Sequence, residues 1–218
     1  FIGDAHQRIR EDHLRILRYF RFQARFGSQP ADEPSERACA DLAATLKGLS
    51  RERVGMEMMN LLGLADPALT VARMAELGVL DVVLPEADVP ALAALIAAER
   101  QQGATPDPLR RLAALLAPDV QLAEAVASRF RLSGAQKKRL ALAAGREAAP
   151  GEPRALAHRL GREAALDRLL LAGADTAALN DWTIPTFPLK GGDIVARGVK
   201  AGPEVARVLR AVESGWIA

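Results

Sequence analysis

Residues 3 to 27 read GDAHQRIREDHLRILRYFRFQARFG, with six arginines, the adjacent acids Glu11 and Asp12 and four aromatic rings. At about 100° per residue, Ile9, His13, Ile16, Leu17, Phe20 and Ala24 gather into one arc, so the stretch predicts a helix from near Arg8 to Phe26, stopped at Gly27. Arg8, Glu11, Asp12, Arg15, Arg18 and Arg25 fall on the other side. Tyr19, Phe22 and Phe26 fall among those charges. Rings set into a charged face predict that this face is covered as well, by another domain or by a ligand.

The rest of the chain repeats the helical pattern. Alanine and leucine dominate, aromatic residues make up 4% of the 218 residues, and no strand-like alternation persists, which predicts an all-α fold. Proline and glycine breakers divide the chain. SQPADEP is a turn, with Pro34 placed to open the next helix. Ser50 is placed to cap RERVGMEMMNLL. DPALTVARMAELGVL and PALAALIAAERQQG follow, separated at Pro85, and EAAPGEP is the expected joint before PRALAHRLGREAALDRLLLAG. Three units are expected, over residues 1–100, 101–186 and 187–218.

Composition narrows the function classes. Net charge is +2 and the pI about 9.0, mildly basic rather than histone-like, so local patches matter more than the total. Cys39 is the one cysteine, in a helical apolar setting, which excludes an intrachain disulfide. With no apolar run of membrane-spanning length, it points to the cytoplasm. The chain opens on Phe1, directly into a motif, and a preceding segment is expected. His6, His13 and His158 stand apart, so no zinc-type cluster and no Ser-His-Asp or Cys-His arrangement arises. No D-x-D occurs; the nearest pattern, Glu86-Ala87-Asp88, lies in a proline-flanked turn. No metal site is expected in this chain.

On a helix, Asp12 and Arg15 would be surface neighbours three residues apart. Such a pair reads either as an ordinary ion pair or as a recognition edge. A carboxylate only accepts hydrogen bonds and a guanidinium only donates them. Side by side they match the amino donor and ring-nitrogen acceptor of cytosine and adenine, and oppose the reversed order on uracil and guanine.

GDAHQRIREDHLRILRYFRFQARFG resembles the G-D-P-x-x-R-I-x-E-D-x-L-R-x-L-R-x-x-R-F segment of the class II tRNA nucleotidyltransferase and bacterial poly(A) polymerase family. LSRERVGMEMMNLL is similar to the family's L-S-x-E-R-I-x-x-E helix, MAELGVLDVVLPE to its M-x-x-x-G-V-L-x-x-x-L-P-E, and LKGGDIVARGVKAGPEVARVL to its tail hairpin. Residues between Gln101 and Thr186 match only weakly. The resemblance implies an elongated array of neck, body and tail. It implies that Asp12 and Arg15 read the base of CTP or ATP, with Glu11 and Arg8 beside them, and that Arg18, Arg53 and Glu57 support that site or the phosphates. Gly3 and Asp4 would belong to a flexible element, where Ala5 replaces the usual proline.

The family's metal-binding D-x-D and Gly-rich loop are missing, so the resemblance places catalysis, and its Mg²⁺, in an N-terminal head outside this chain. What remains would bind RNA, tRNA foremost. Lys137, Lys138, Arg139, Lys190, Lys200, Arg207 and Arg210 are the candidate phosphate contacts, although Ala201 and Ala206 replace the tail's usual Pro and Gly. CCA addition, A addition and poly(A) synthesis share these motifs. A non-catalytic RNA-binding or adaptor module is the alternative.

Overall fold

The computed structural model describes residues 1–27, 31–147 and 149–217; the side chains of 214 and 217 and the first three residues, 28–30, of the expected turn SQPADEP lie outside what is described, as does residue 148 of the expected joint. Among the described residues every regular element is helical. In order these are α1 (Ala5–Glu11), α2 (Arg15–Phe26), α3 (Glu33–Asp41), a 3₁₀ turn (Ala43–Gly48), α4 (Arg51–Leu62), α5 (Ala68–Glu76), α6 (Val79–Val83), α7 (Val89–Gln101) and α8 (Pro108–Ala114). There follow α9 (Val120–Arg129), α10 (Gly134–Ala144), α11 (Pro153–Leu160), α12 (Arg162–Leu171), a second 3₁₀ turn (Ala177–Leu179), α13 (Gly191–Ala196) and α14 (Pro203–Ile217).

The helix starts are written locally. Asp32, Asp88, Asp107 and Asp119 each accept from an amide of the following turn, and α10 opens with a Ser133–Gln136 capping box. Pro108, Pro153 and Pro203 open α8, α11 and α14, where a missing amide hydrogen costs nothing. Pro34 sits one place further in, since α3 begins at Glu33. The long segment from Pro153 breaks at Gly161, whose φ of 85° suits glycine and parts α11 from α12.

The expected helix from Arg8 to Phe26 is two helices. The break falls at Asp12, extended at φ −153° and ψ 104°. Its carboxylate accepts from the Leu14 amide at 3.2 Å and its carbonyl from the Arg15 amide at 3.0 Å. An aspartate that hydrogen-bonds its own backbone two residues on offers the chain a turn in place of helix. Asp12 and Arg15 are therefore not neighbours on a helix surface.

One core runs from Ile9 to Ala144 and holds Leu14, Ile16, Leu17 and Phe20 of the opening segment. Helix α2 packs on α4 and α5, α4 packs on α8, and α9 and α10 form a tight pair. Gly55 lets α4 pass close to the end of α9: a Cβ there would lie 2.8 Å from Phe130 Cβ and closer still to the Phe130 carbonyl. A smaller core joins Leu156, Ala157, Ala165, Leu169 and Leu179.

Where α7, α8, α10 and α12 meet, the interior is ionic. Arg110 donates to Glu99 at 2.7 Å and to Asp167 at 2.9 Å, and Arg111 to Glu99 at 2.9 Å and the Leu62 carbonyl at 2.8 Å. These four side chains are at most 4% exposed. At the tail, Trp216 of α14 meets the edges of His158 and Phe187, with ring centroids 5.6 and 5.3 Å away.

Candidate nucleotide and RNA site

The break between α1 and α2 gathers the opening charges into two ion-pair groups. Arg15 donates to Glu11 at 2.6 Å and to the Arg8 carbonyl at 2.8 Å, while Arg8 reaches Glu11 at 2.8 Å. The Arg15 hydrogen bond holds the Glu11 carboxyl below its ordinary range, with Arg8 adding to the effect. Asp12 takes different partners: Arg53 of α4 at 3.1 Å and Arg18 at 3.7 Å. Behind them Glu57 of α4, 4% exposed, accepts from Arg18 at 3.1 Å and from Arg21 at 2.7 Å. A buried carboxylate between two guanidiniums is compensated on both oxygens.

Arg21 was not singled out from the sequence; its spacing of three from Arg18 was the available signal.

Beside this lattice opens a cleft of about 370 Å³ lined by Phe1, Ile2, Arg8, Arg15, Arg18, Tyr19 and Phe22. Phe1 stacks on Tyr19 at 5.5 Å with the rings 7° from parallel, and the Tyr19 ring meets Phe20 edge-on. The Tyr19 hydroxyl is buried with no hydrogen-bond partner among the described residues, and burial pushes it up to about 12. Three guanidiniums and apolar ring faces can receive a flat, anionic molecule, the rings meeting a base and the arginines its phosphates. Asp12 is not among the lining residues and meets the cleft through Arg18. Further along α2, Phe22 and Phe26 are 50% and 70% exposed, so among the described residues the expected cover over this face is not supplied.

The basic candidates fall into two places. Lys138 is exposed on α10, and the Lys137 ammonium lies 3.3 Å from Ser128 Oγ. Arg139 is committed to carboxylates instead: Asp167 at 2.8 Å, Asp107 at 2.9 Å and Glu163 at 3.0 Å. Lys190, Lys200, Arg207 and Arg210 are exposed in the tail, where Arg207 pairs with Glu204 one turn away. Gly3 and Asp4 precede α1, and the Asp4 carboxylate caps it by accepting from the Gln7 amide at 2.7 Å, with Ala5 as its first residue.

The fold and the sequence both find relatives. Residues 32–89 match the family described as "Probable RNA and SrmB- binding site of polymerase A". The mouse protein "CCA tRNA nucleotidyltransferase 1, mitochondrial" is 29% identical over 238 residues, covering 99% of this chain and 54% of the relative. Among solved structures, a CCA-adding enzyme with CTP superposes with a TM-score of 0.67 at 17% identity, over 96% of this chain and 56% of that one. The Thermotoga maritima CCA-adding enzyme complexed with tRNA gives 0.65 at 19%, over 96% and 58%. At such identities these two likenesses establish the fold. Over nearly its whole length the chain is similar to CCA-adding enzymes and carries their fold. It spans about half the length of the curated relatives it matches.

Proposed function

We propose that this chain selects the base and holds the RNA for a nucleotidyltransferase that adds C, A or both to RNA 3′ ends, tRNA foremost. The observation that carries the reading is the cleft at the α1–α2 break, with Arg8, Arg15 and Arg18 on its wall and the Asp12 carboxylate held next to it. Asp12 supplies an acceptor and Arg15 a donor, the pair that cytosine and adenine require. Arg53 and Arg18 aim the acceptor, Glu11 and the Arg8 carbonyl aim the donor, and Glu57 anchors the lattice to α4. The structures of relatives with CTP and with tRNA support nucleotide and RNA as the partners.

The Mg²⁺ of the chemistry would be held by carboxylates of a catalytic head outside this chain. The RNA backbone would lie against Lys137 and Lys138 and against the tail lysines. We place the protein in the cytoplasm, on the strength of its single buried cysteine; cell fractionation tests this. No helix among the described residues is long and apolar enough to cross a membrane.

The test is incorporation of CTP, ATP, UTP and GTP by the longer protein that contains this chain. Asp12→Ala or Arg15→Ala leaves one base atom without its partner. Each should cost roughly 1–3 kcal/mol, about one to two powers of ten in kcat/KM for the correct base, with RNA affinity kept. Undiminished discrimination in both variants, at matched folded fraction, would assign base reading to other residues.

A further inference from the structure

Helix α9 ends in an unusual way. Arg131 follows it with φ at 55°, the left-handed region that glycine enters freely and arginine does not. The Arg131 amide donates to the Ser128 carbonyl at 3.2 Å, and the Leu132 amide to the Ala127 carbonyl at 2.9 Å. These backbone bonds finish the helix and would form equally well with glycine at residue 131. The arginine side chain contributes nothing to them. It is exposed and has no ion-pair or hydrogen-bond partner among the described residues.

Four other arginines of the chain are engaged with groups of their own. Arg129 makes a two-pronged pair with Glu86 at 2.7 and 2.9 Å, Arg139 meets three carboxylates, Arg146 donates to the Leu116 carbonyl and Arg168 to the Leu142 carbonyl. A costly backbone conformation kept with an unengaged cation at its tip indicates that the cation acts on something outside the chain.

Other cations flank it. The Lys137 ammonium, 3.3 Å from Ser128 Oγ, lies over the last turn of α9, the turn that Arg131 closes. With Lys138 it lines an open groove of about 470 Å³ between α9 and α10, in which Glu124 is the one acid. Val120, Ala141 and Leu142 line it too, with Arg168 turned to the Leu142 carbonyl, while Arg131 stands outside the groove's lining. Cations that meet phosphates carry no sequence information.

We propose that Arg131, Lys137 and Lys138 form a sequence-independent grip on the RNA phosphodiester backbone at the α9–α10 corner, with Arg131 held in position by its left-handed backbone. The proposal rests on RNA being the partner of this chain, and its test is independent of base selection.

The chain is titrated with labelled tRNA over a series of salt concentrations, as wild type, Arg131→Gly and Arg131→Lys, and each variant is melted. Arg131→Gly should melt no lower than wild type, because glycine relaxes the backbone. It should bind several-fold more weakly, with the slope of log affinity against log salt reduced by roughly 0.7–0.9, one phosphate contact. Arg131→Lys should keep most of that slope. Equal affinity and slope for wild type and Arg131→Gly would overturn the proposal. So would a drop in melting temperature that accompanies the loss of affinity in Arg131→Gly, which makes the residue structural. A wild-type chain without salt-dependent tRNA binding would overturn the RNA reading as well.

Discussion

Asp12 shows how one side chain can set both a backbone and a site. By capping its own turn it stops α1, and by stopping α1 it turns its carboxylate toward Arg53 and Arg18 rather than along a helix toward Arg15. The two halves of the proposed recognition edge are thus braced separately, and either can be loosened without the other. Arg53→Ala should therefore relax the acceptor side alone, lowering discrimination less than Asp12→Ala does while CTP and ATP are affected together; identical losses in the two variants would mean that Arg53 itself meets the nucleotide. Gly55 is a residue of another kind, important for what it lacks. Gly55→Ala would drive a methyl group into the Phe130 backbone and force α4 from α9, at a cost of about 1–3 kcal/mol in thermal or denaturant unfolding. A melt equal to the parent would show that the crossing yields cheaply.

Among the elements, two joints respond differently to substitution. Glu99 binds both Arg110 and Arg111 in a nearly dry setting. Glu99→Ala would leave two buried guanidiniums with too little negative charge, a loss of roughly 3–5 kcal/mol in denaturant unfolding; a loss below about 1 kcal/mol would show that water enters the gap. The Glu86–Arg129 pair, between the loop before α7 and the end of α9, is nearer the surface. Its hydrogen bond to Arg129 holds the Glu86 carboxyl below the ordinary 4.5. Because the folded value is the lower one, the pair stabilises the fold above that ordinary value, and the contribution is lost as pH falls through the folded value. Melts carried from neutral pH into acid should accordingly decline less in Glu86→Gln than in the parent; superimposable declines would remove this pair from the acid response. The joints were also the part least legible in the sequence. Helix identity and the buried set Ile9, Ile16, Leu17 and Phe20 follow from spacing of local residues, and so could be read in advance, whereas Ser50, read as a cap, precedes α4 without a side-chain hydrogen bond to it. The break at Asp12 depends on one side chain competing with a helical pattern that otherwise continues, and the commitment of Arg139 to Asp107, Glu163 and Asp167 depends on partners up to 32 residues away. Arg139 looked like a member of a basic run because adjacency along the chain carries no information about such partners.

At the scale of the molecule, charge and cohesion are both uneven. Residues 32–89 hold eleven acidic and five basic side chains, whereas the opening segment, the α9–α10 region and the tail each hold more basic than acidic ones. A polyanion will be drawn to the basic regions and turned away from the acidic one before any specific contact forms. Lys200→Glu combined with Arg210→Glu should thus weaken tRNA binding and flatten its salt dependence; unchanged affinity at low salt would make the tail purely structural. The size of the cores has a further consequence, in time rather than in space. The main core joins most of the helices up to Ala144, while α11, α12 and the second 3₁₀ turn share five buried residues and α14 meets His158 and Phe187 through a half-exposed Trp216. Amide hydrogens in the last third should exchange with solvent well before those of α2 and α4. The end that would let go of the RNA then runs on a faster clock than the end that would choose the nucleotide, so successive additions can be separated by releases that leave the choosing site folded throughout.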